Sequence, residues 1–317
     1  MKERNPAVQF LINNGIYLVL IVMFVYFAVT AQGFFTFENL ANIPLQIAFV
    51  ILIAIGMTFV IITGGIDLSV GSIVALAAVI FAILVENHHV AIPLAIVISL
   101  VLGSASGALS GFFVVRFSVP PFIATLAMMT IARGVARNIA QNTKIFISTD
   151  SLEPYNNFIT RANVGGIPSL VILTLAVLAV FGLMLIRTRF GRYVIATGGN
   201  EEATRLSGVN VRFVKLMVYV MTAVLSSVVG VMMACKFQNG NPEFGVMWEL
   251  DAIAACVVGG TSLMGGKGNV FKTFLGALLI GVLDNGLLAK GLSSEMIYII
   301  KGVIILGAVL IDQVKSN

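Results

Sequence analysis

Residues 39–66 read NLANIPLQIAFVILIAIGMTFVIITGGI, with no charged side chain from Asn39 until Asp67 follows Ile66. At 1.5 Å of rise per residue, a helix needs about 20 largely apolar residues to cross the ~30 Å hydrocarbon core of a bilayer. This stretch meets that need, and so do the uncharged runs Val90 to Val115, Val164 to Ile186 and Leu216 to Cys235. Over the whole chain of 317 residues, 59% are apolar and 10% charged, against roughly 45–50% and about 25% in a soluble domain. No water-soluble fold of this length hides so much apolar side chain. The fold class read from this is all-α integral membrane.

Hydropathy places about ten transmembrane helices near 15–33, 43–63, 70–86, 90–115, 121–140, 167–187, 213–235, 250–265, 270–288 and 295–312. The third and eighth are short and glycine-rich, as broken or re-entrant segments buried within protein would be. Met1 to Asn14 has no small-residue cleavage site and runs straight into apolar sequence, so the first span is expected to be retained. An even count puts both termini on one side. With the N-terminus in the cytoplasm, that side holds Lys2, Arg4, Arg116, Arg187, Arg189, Arg192, Arg205, Arg212, Lys215, Lys267, Lys272 and Lys315. The other side holds only Arg133, Arg137, Lys144, Arg161, Lys236 and Lys290, while Lys301 falls inside a span. The positive-inside rule therefore puts both termini in the cytoplasm. The net charge of +5 reports orientation rather than a nucleic-acid partner.

Residues 1–317 read as one polytopic transmembrane domain, without low-complexity tracts or a solenoid period. Two polar segments stand out. Gln141 to Gly166, on the outer side, is a connector or a docking surface. Arg187 to Lys215 lies on the cytoplasmic side, and within it Asn200-Glu201-Glu202-Ala203-Thr204-Arg205-Leu206-Ser207-Gly208 has both helix ends marked. Asn200 suits an N-cap, Glu201 and Glu202 sit where the helix dipole favours anions, and Gly208 suits a left-handed stop. So short a helix is unstable alone, so it must pack on this chain's own helix ends or on a partner.

Other motifs carry less. Gly103, Gly107 and Gly111 recur every fourth residue, a stripe that lets two helices approach closely within the chain or between subunits. The run Gly259 to Gly268 is not a phosphate loop: Thr261 stands where the first glycine belongs, and Gly268 follows Lys267 where Ser or Thr is required. It is expected to be a bend that lets helices pack. Cys235 and Cys256 lack metal-ligand spacing, and the adjacent pair His88 and His89 has no partnered carboxylate, so neither a metal site nor an enzyme is indicated.

Polar groups at membrane depth are costly and so informative. Asp67 follows Gly64-Gly65 with Ser69 and Ser72 nearby, and Asp251 follows Glu249; either acid caps a helix at the interface or serves a pathway. Asp284 and Lys301 sit at similar depth on consecutive spans, where an ion pair competes with snorkelling to the interface. Thr58, Thr63, Asp67, Ser69, Thr125, Asp251 and Thr261 are the candidates for lining a translocation pathway. A hydroxyl can instead bond back to its own helix. Trp248 is the sole tryptophan and polar groups within spans are sparse, which fits a low-affinity passage better than a selecting site.

Four segments together resemble one family. They are Gly199 to Asn210; Thr63-Gly64-Gly65-Ile66-Asp67-Leu68-Ser69-Val70-Gly71-Ser72; Pro121-Phe122-Ile123-Ala124-Thr125-Leu126; and Glu249-Leu250-Asp251-Ala252-Ile253-Ala254-Ala255 with Gly259-Gly260-Thr261-Ser262-Leu263 and Gly265-Gly266-Lys267-Gly268. Their order and content are similar to those of the permease subunits of ribose-type ATP-binding-cassette importers. That resemblance implies a vitamin-B12-importer-like (type II) membrane fold and a second permease copy. It also implies a cytoplasmic ATPase that uses ATP and Mg, and a periplasmic sugar-binding protein. The loop at about 188–212 would then couple to the ATPase through Gly199, Asn200, Glu201, Glu202, Ala203, Arg205, Leu206 and Gly208. This chain itself would carry no cofactor, perform no covalent chemistry and pass a monosaccharide across the inner membrane. The rival reading is an ion-coupled carrier, which needs a titratable carboxylate in the membrane and often inverted repeats.

Overall fold

The computed structural model describes residues 6–160 and 162–316. Among these the chain forms thirteen helices. The first five are α1 (Pro6–Thr30), α2 (Phe37–Ile62), α3 (Val70–Glu86), α4 (Ile92–Phe117) and α5 (Pro121–Ile139). Then come α6 (Thr149–Thr160), α7 (Ser169–Arg187), α8 (Arg189–Gly199), α9 (Glu201–Leu206) and α10 (Val211–Phe237). The last three are α11 (Trp248–Val258), α12 (Val270–Ala289) and α13 (Ser294–Ser316).

Five of them, α2, α4, α7, α10 and α12, are long and apolar enough to cross a membrane. The apolar α3 and the Gly15–Thr30 part of α1 are shorter. The expectation of a span over 250–265 needs correction, because α11 has 11 residues, or about 16 Å of helix, half the hydrocarbon thickness. It unwinds at Gly259 into a loop in which Gly260, Gly265 and Gly266 take φ of 85°, 83° and 73°, a region open mainly to glycine.

α2 is the axis of the molecule. From Ile47 to Ile62 only Val50 is even partly exposed, and α7, α10, α11 and α12 pack around it. α4 has a different environment: its buried positions are Ala95, Ser99, Gly103, Ser106, Gly107, Ser110, Gly111 and Val114, a helical stripe of small residues. A Cβ on Gly107 would stand 2.6 Å from the Tyr219 carbonyl oxygen, and one on Gly103 would strike the Ser227 hydroxyl. Both contacts are on α10, so the stripe seats α4 against its own chain. In lipid the hydrophobic effect does not favour helix–helix over helix–lipid contact, so close packing of small residues decides where α4 sits.

The segment Gln141 to Gly166 is folded. Strand β1 (Ile145–Phe146) pairs antiparallel with β4 (Asn239–Gly240), joining the loops after α5 and α10. A hairpin pairs β2 (Asn163–Val164) with β3 (Ile167–Pro168). α6 lies against α7 and α10.

Candidate functional site

The segment 188–212 is built from three successive polar caps. The Thr188 hydroxyl accepts from the Gly191 N–H at 3.1 Å and starts α8. Asn200 Oδ1 accepts from the Ala203 N–H at 2.9 Å and starts α9, and Asn210 Oδ1 accepts from the Phe213 N–H at 3.1 Å and starts α10. Each supplies an acceptor to a backbone donor that a helix start leaves orphaned. Gly208, at φ 84°, ends the α9 turn. Glu202 is held by Arg205 at 2.6 Å, and that hydrogen bond and positive charge set its carboxyl below the usual range. Glu201 pairs with Lys215 of α10.

α9 is anchored by one residue and otherwise open. Thr204 is buried, whereas Glu201, Glu202, Ala203, Arg205, Leu206, Ser207 and Gly208 are all exposed. Leu206, 76% exposed, is a large apolar group at the tip of a polar surface. A cavity of about 860 Å³ separates the Glu201, Glu202 and Arg205 side of α9 from the turn between α4 and α5, with Val119, Pro120 and Arg212 among its other walls.

At the end of α8, just ahead of α9 in the chain, three backbones meet without side chains between them. A Cβ on Gly198 would run into the Ile62 carbonyl at the end of α2, and would lie 2.5 Å from the Gly266 nitrogen. The Gly266 N–H donates to the Ile62 carbonyl at 2.8 Å. A Cβ on Gly266 would stand 2.8 Å from the Gly199 Cα. The α11–α12 loop, Gly259 to Gly268, thus meets the ends of α8 and α2 here, which accounts for Gly265 and Gly266 without any phosphate.

Most of the hydroxyl candidates are committed locally. Thr58 donates to the Ala54 carbonyl at 2.7 Å and lies 2.8 Å from the Thr273 hydroxyl. Thr63 donates to Val60 at 2.8 Å, and Thr125 to Pro121 at 2.9 Å and Ile66 at 3.2 Å. Ser69 donates both N–H and hydroxyl to Asp67 Oδ1, at 2.8 and 2.6 Å. Asp67 is fully buried and its other oxygen has no partner among the described residues, as is true of the Thr261 hydroxyl. Cys235 and Cys256 are buried free thiols.

Asp251 belongs to another place. At the end of the bundle away from α9, Lys301 Nζ lies 2.8 Å from Asp251 Oδ1 and 2.8 Å from Asp284 Oδ2. The ion pair expected between Asp284 and Lys301 is therefore present, with Asp251 as its third member. Two adjoining cavities, of about 270 and 150 Å³, share Gln46, Trp248, Asp251 and Asp284 as walls. Behind them Asn285 and Asn39 exchange amide hydrogen bonds at 2.8 and 2.9 Å, and Asn285 also donates to Gln46 at 3.3 Å. The expectation that polar groups within the spans are sparse needs this correction: they are few but gathered at one spot, with the sole tryptophan. Gln46 and Asn285 were missed because neither is charged. The signal was there, since Asn39 and Gln46 stand two helical turns apart on one face of α2.

The sequence matches, over residues 39–309, the family described as "Branched-chain amino acid transport system / permease component". The chain belongs to this permease family. It is similar to the ribose import permease protein RbsC of Escherichia coli K12, 41% identical over 94% of this chain and 93% of the relative. The corresponding protein of Bacillus subtilis 168 is 39% identical over 95% and 93%. The L-arabinose transport system permease protein AraH of E. coli K12 is 35% identical over 96% and 91%. No solved structure matches the chain. Membership makes the permease a multi-pass membrane transport subunit rather than an enzyme, consistent with its long apolar helices.

Proposed function

We propose that this permease carries a monosaccharide, ribose or a similar aldose, across the bacterial inner membrane as one of a pair of permease copies. Separate cytoplasmic ATP-binding-cassette subunits, using ATP and Mg, drive it, and a periplasmic sugar-binding protein feeds it. The chain is a single membrane domain with ten membrane segments of the type II kind, α11 being half-length, and both termini lie in the cytoplasm.

One observation carries this reading: α9, capped at both ends and exposed except for Thr204, continues directly from the end of α8, where Gly198 and Gly199 meet Ile62 and Gly266. A helix of this length does not hold itself together. Its exposed Leu206 and the adjoining cavity suit insertion into a partner's surface. A partner that shifts α9 pulls on α8, whose end presses on α2 and on the α11–α12 loop with no side chain to cushion the joint. α2 continues about 24 Å from Ile62 to Gln46, where α2 and α11 line the polar cavity. Motion entering at α9 thus reaches the opposite end of the bundle through two rigid elements, as two-state coupling requires. The similarity to ribose and arabinose permeases supports the sugar as cargo.

The test is reconstitution in liposomes. Ribose uptake is expected only when ATPase and binding protein are both supplied, and it persists when an uncoupler collapses the proton gradient while ATP is maintained. Uphill uptake by the permease alone, abolished by the uncoupler and by Asp67→Asn or Asp251→Asn, would establish an ion-coupled carrier instead.

A further inference from the structure

The cavities at the end away from α9 stand apart from the rest of the interior. Asp251 and Lys301 are 9% and 7% exposed, and charges held at membrane depth are expensive unless they serve something. A structural ion pair needs one carboxylate per ammonium. Here Lys301 is shared by two, leaving a net negative charge, and Asp284 Oδ1 is shielded from solvent with no partner among the described residues. Gln46 is exposed to the cavity, and its amide oxygen is already engaged by Asn285. Its amide nitrogen remains as a donor. Trp248 supplies the cavity's aromatic wall, and its ring is held by Phe49 stacked at 6.3 Å and 14°.

We propose that these two cavities form one resting site for a monosaccharide inside the permease. The donor and acceptor set fits a polyol. Asp284 and Asp251 accept from neighbouring hydroxyls, Gln46 donates to a ring or hydroxyl oxygen, and Trp248 covers the C–H face. Together the cavities match the smallest small-molecule sites, which start at ~300 Å³. A metal cation is disfavoured, because the Lys301 ammonium stands 2.8 Å from both carboxylates and would repel it. An α-amino acid is disfavoured too, since its carboxylate would meet Asp251 and Asp284 while the lone ammonium is committed. The site rests on the sugar-permease reading and places it: with α9 in the cytoplasm, the cavity faces the side on which a binding protein delivers its sugar. Few contacts converge, so affinity is weak, on the order of millimolar.

Trp248 is the chain's only tryptophan, so its emission reports on this cavity and nowhere else. The full-length permease in detergent micelles, with no second protein present, is titrated with D-ribose, L-arabinose and L-leucine. A saturable emission change is expected with the sugars, half-complete at millimolar concentration, and none with L-leucine. Asp284→Asn and, separately, Gln46→Leu are expected to raise the half-saturation point at least tenfold. Gln46 is exposed, so its replacement does not endanger the fold if Asp284→Asn does. No saturable sugar response, a response to L-leucine instead, or an unchanged half-point in Gln46→Leu overturns the site. ATP-driven ribose uptake by the complete assembly, measured in parallel, separates the two claims. If uptake is normal while the emission is silent, the site is wrong and the sugar-permease reading stands. If uptake fails, that reading falls first.

Discussion

α2 and α4 are both 26-residue helices, with mean hydropathies of 2.8 and 2.1 over their most apolar windows. In the folded chain, protein surrounds α2 from Ile47 onward, while α4 turns Val97, Val101, Leu102, Leu109 and Phe112 outward and buries only a stripe of small residues. Hydropathy says that a helix belongs in a membrane but does not say how many sides protein will cover. In lipid, apolar side chains are equally content against acyl chains or other helices, so covered sides are marked by close packing and satisfied polar groups. The difference has a functional side. α2 is covered because it joins the polar cavity at Gln46 to the glycine joint at Ile62, whereas α4 braces α10.

The sharpest way to break this comparison is Gly107→Leu. Its side chain would be driven into the Tyr219 carbonyl, 2.6 Å from where a Cβ begins, with no flexible neighbour to yield. We expect more than about 3 kcal/mol of destabilisation, seen as loss of monodisperse protein on size exclusion. Leu109→Ala, on the outward face of the same helix, should leave the yield unchanged. A normal profile for Gly107→Leu would mean that α4 does not rest on α10.

Next in size is Lys301→Met, which strands Asp251 without its counter-charge and should cost about 3–5 kcal/mol. Adding Asp251→Asn should recover part of the loss in thermal melting. A double variant that melts no higher than the single one contradicts the ion triad. Ile53→Ala, in the fully covered part of α2, should cost about 2–5 kcal/mol through the cavity it leaves, while Leu102→Ala on α4 should stay within about 0.5 kcal/mol. Equal costs would erase the contrast between the two helices.

The smallest effect is expected for Glu202→Gln. The pair with Arg205 is fully in water, and such pairs contribute little. Because Arg205 holds the Glu202 carboxyl below its usual range, the pair's contribution is complete above that range and is lost only as pH falls through the lowered value. Any gap in melting between the wild type and Glu202→Gln should therefore be small, constant from neutral pH down to about pH 5, and closed only at lower pH. A large gap in that window would show that α9 depends on the pair for its own folding.

Much of this was legible in the sequence, for identifiable reasons. Asn200 and Gly208 announced α9 because capping is a local matter of one acceptor and one left-handed residue. Gly103, Gly107 and Gly111 announced a close helix contact because removing side chains has few other uses in a membrane. What α4 packs against was not legible, since α10 presents Ala223 and Ser227 in a run that reads as any other apolar span. α11 misled for a related reason: Ala254 to Val258 is apolar enough to extend a span, and only the backbone turn at Gly259–Gly260 halts it. The polar cavity escaped because its members come from four helices, and Gln46 and Asn285 gain meaning only when brought beside Trp248 and Asp251.

The central claim is that energy enters this permease from a separate subunit at α9. It is tested most directly by co-purifying the ATPase with the permease carrying Glu201→Lys and Glu202→Lys together. These changes set positive charge against the positive end of the α9 dipole and beside Arg205 and Lys215, the partner of Glu201 in the first turns of α10, outside the apolar part of every membrane segment. The account predicts a permease that inserts and runs as wild type on size exclusion but retains little ATPase, while Lys144→Glu, in the loop after α5 at the opposite end, retains it fully. ATPase recovered at wild-type yield with the double variant would contradict it.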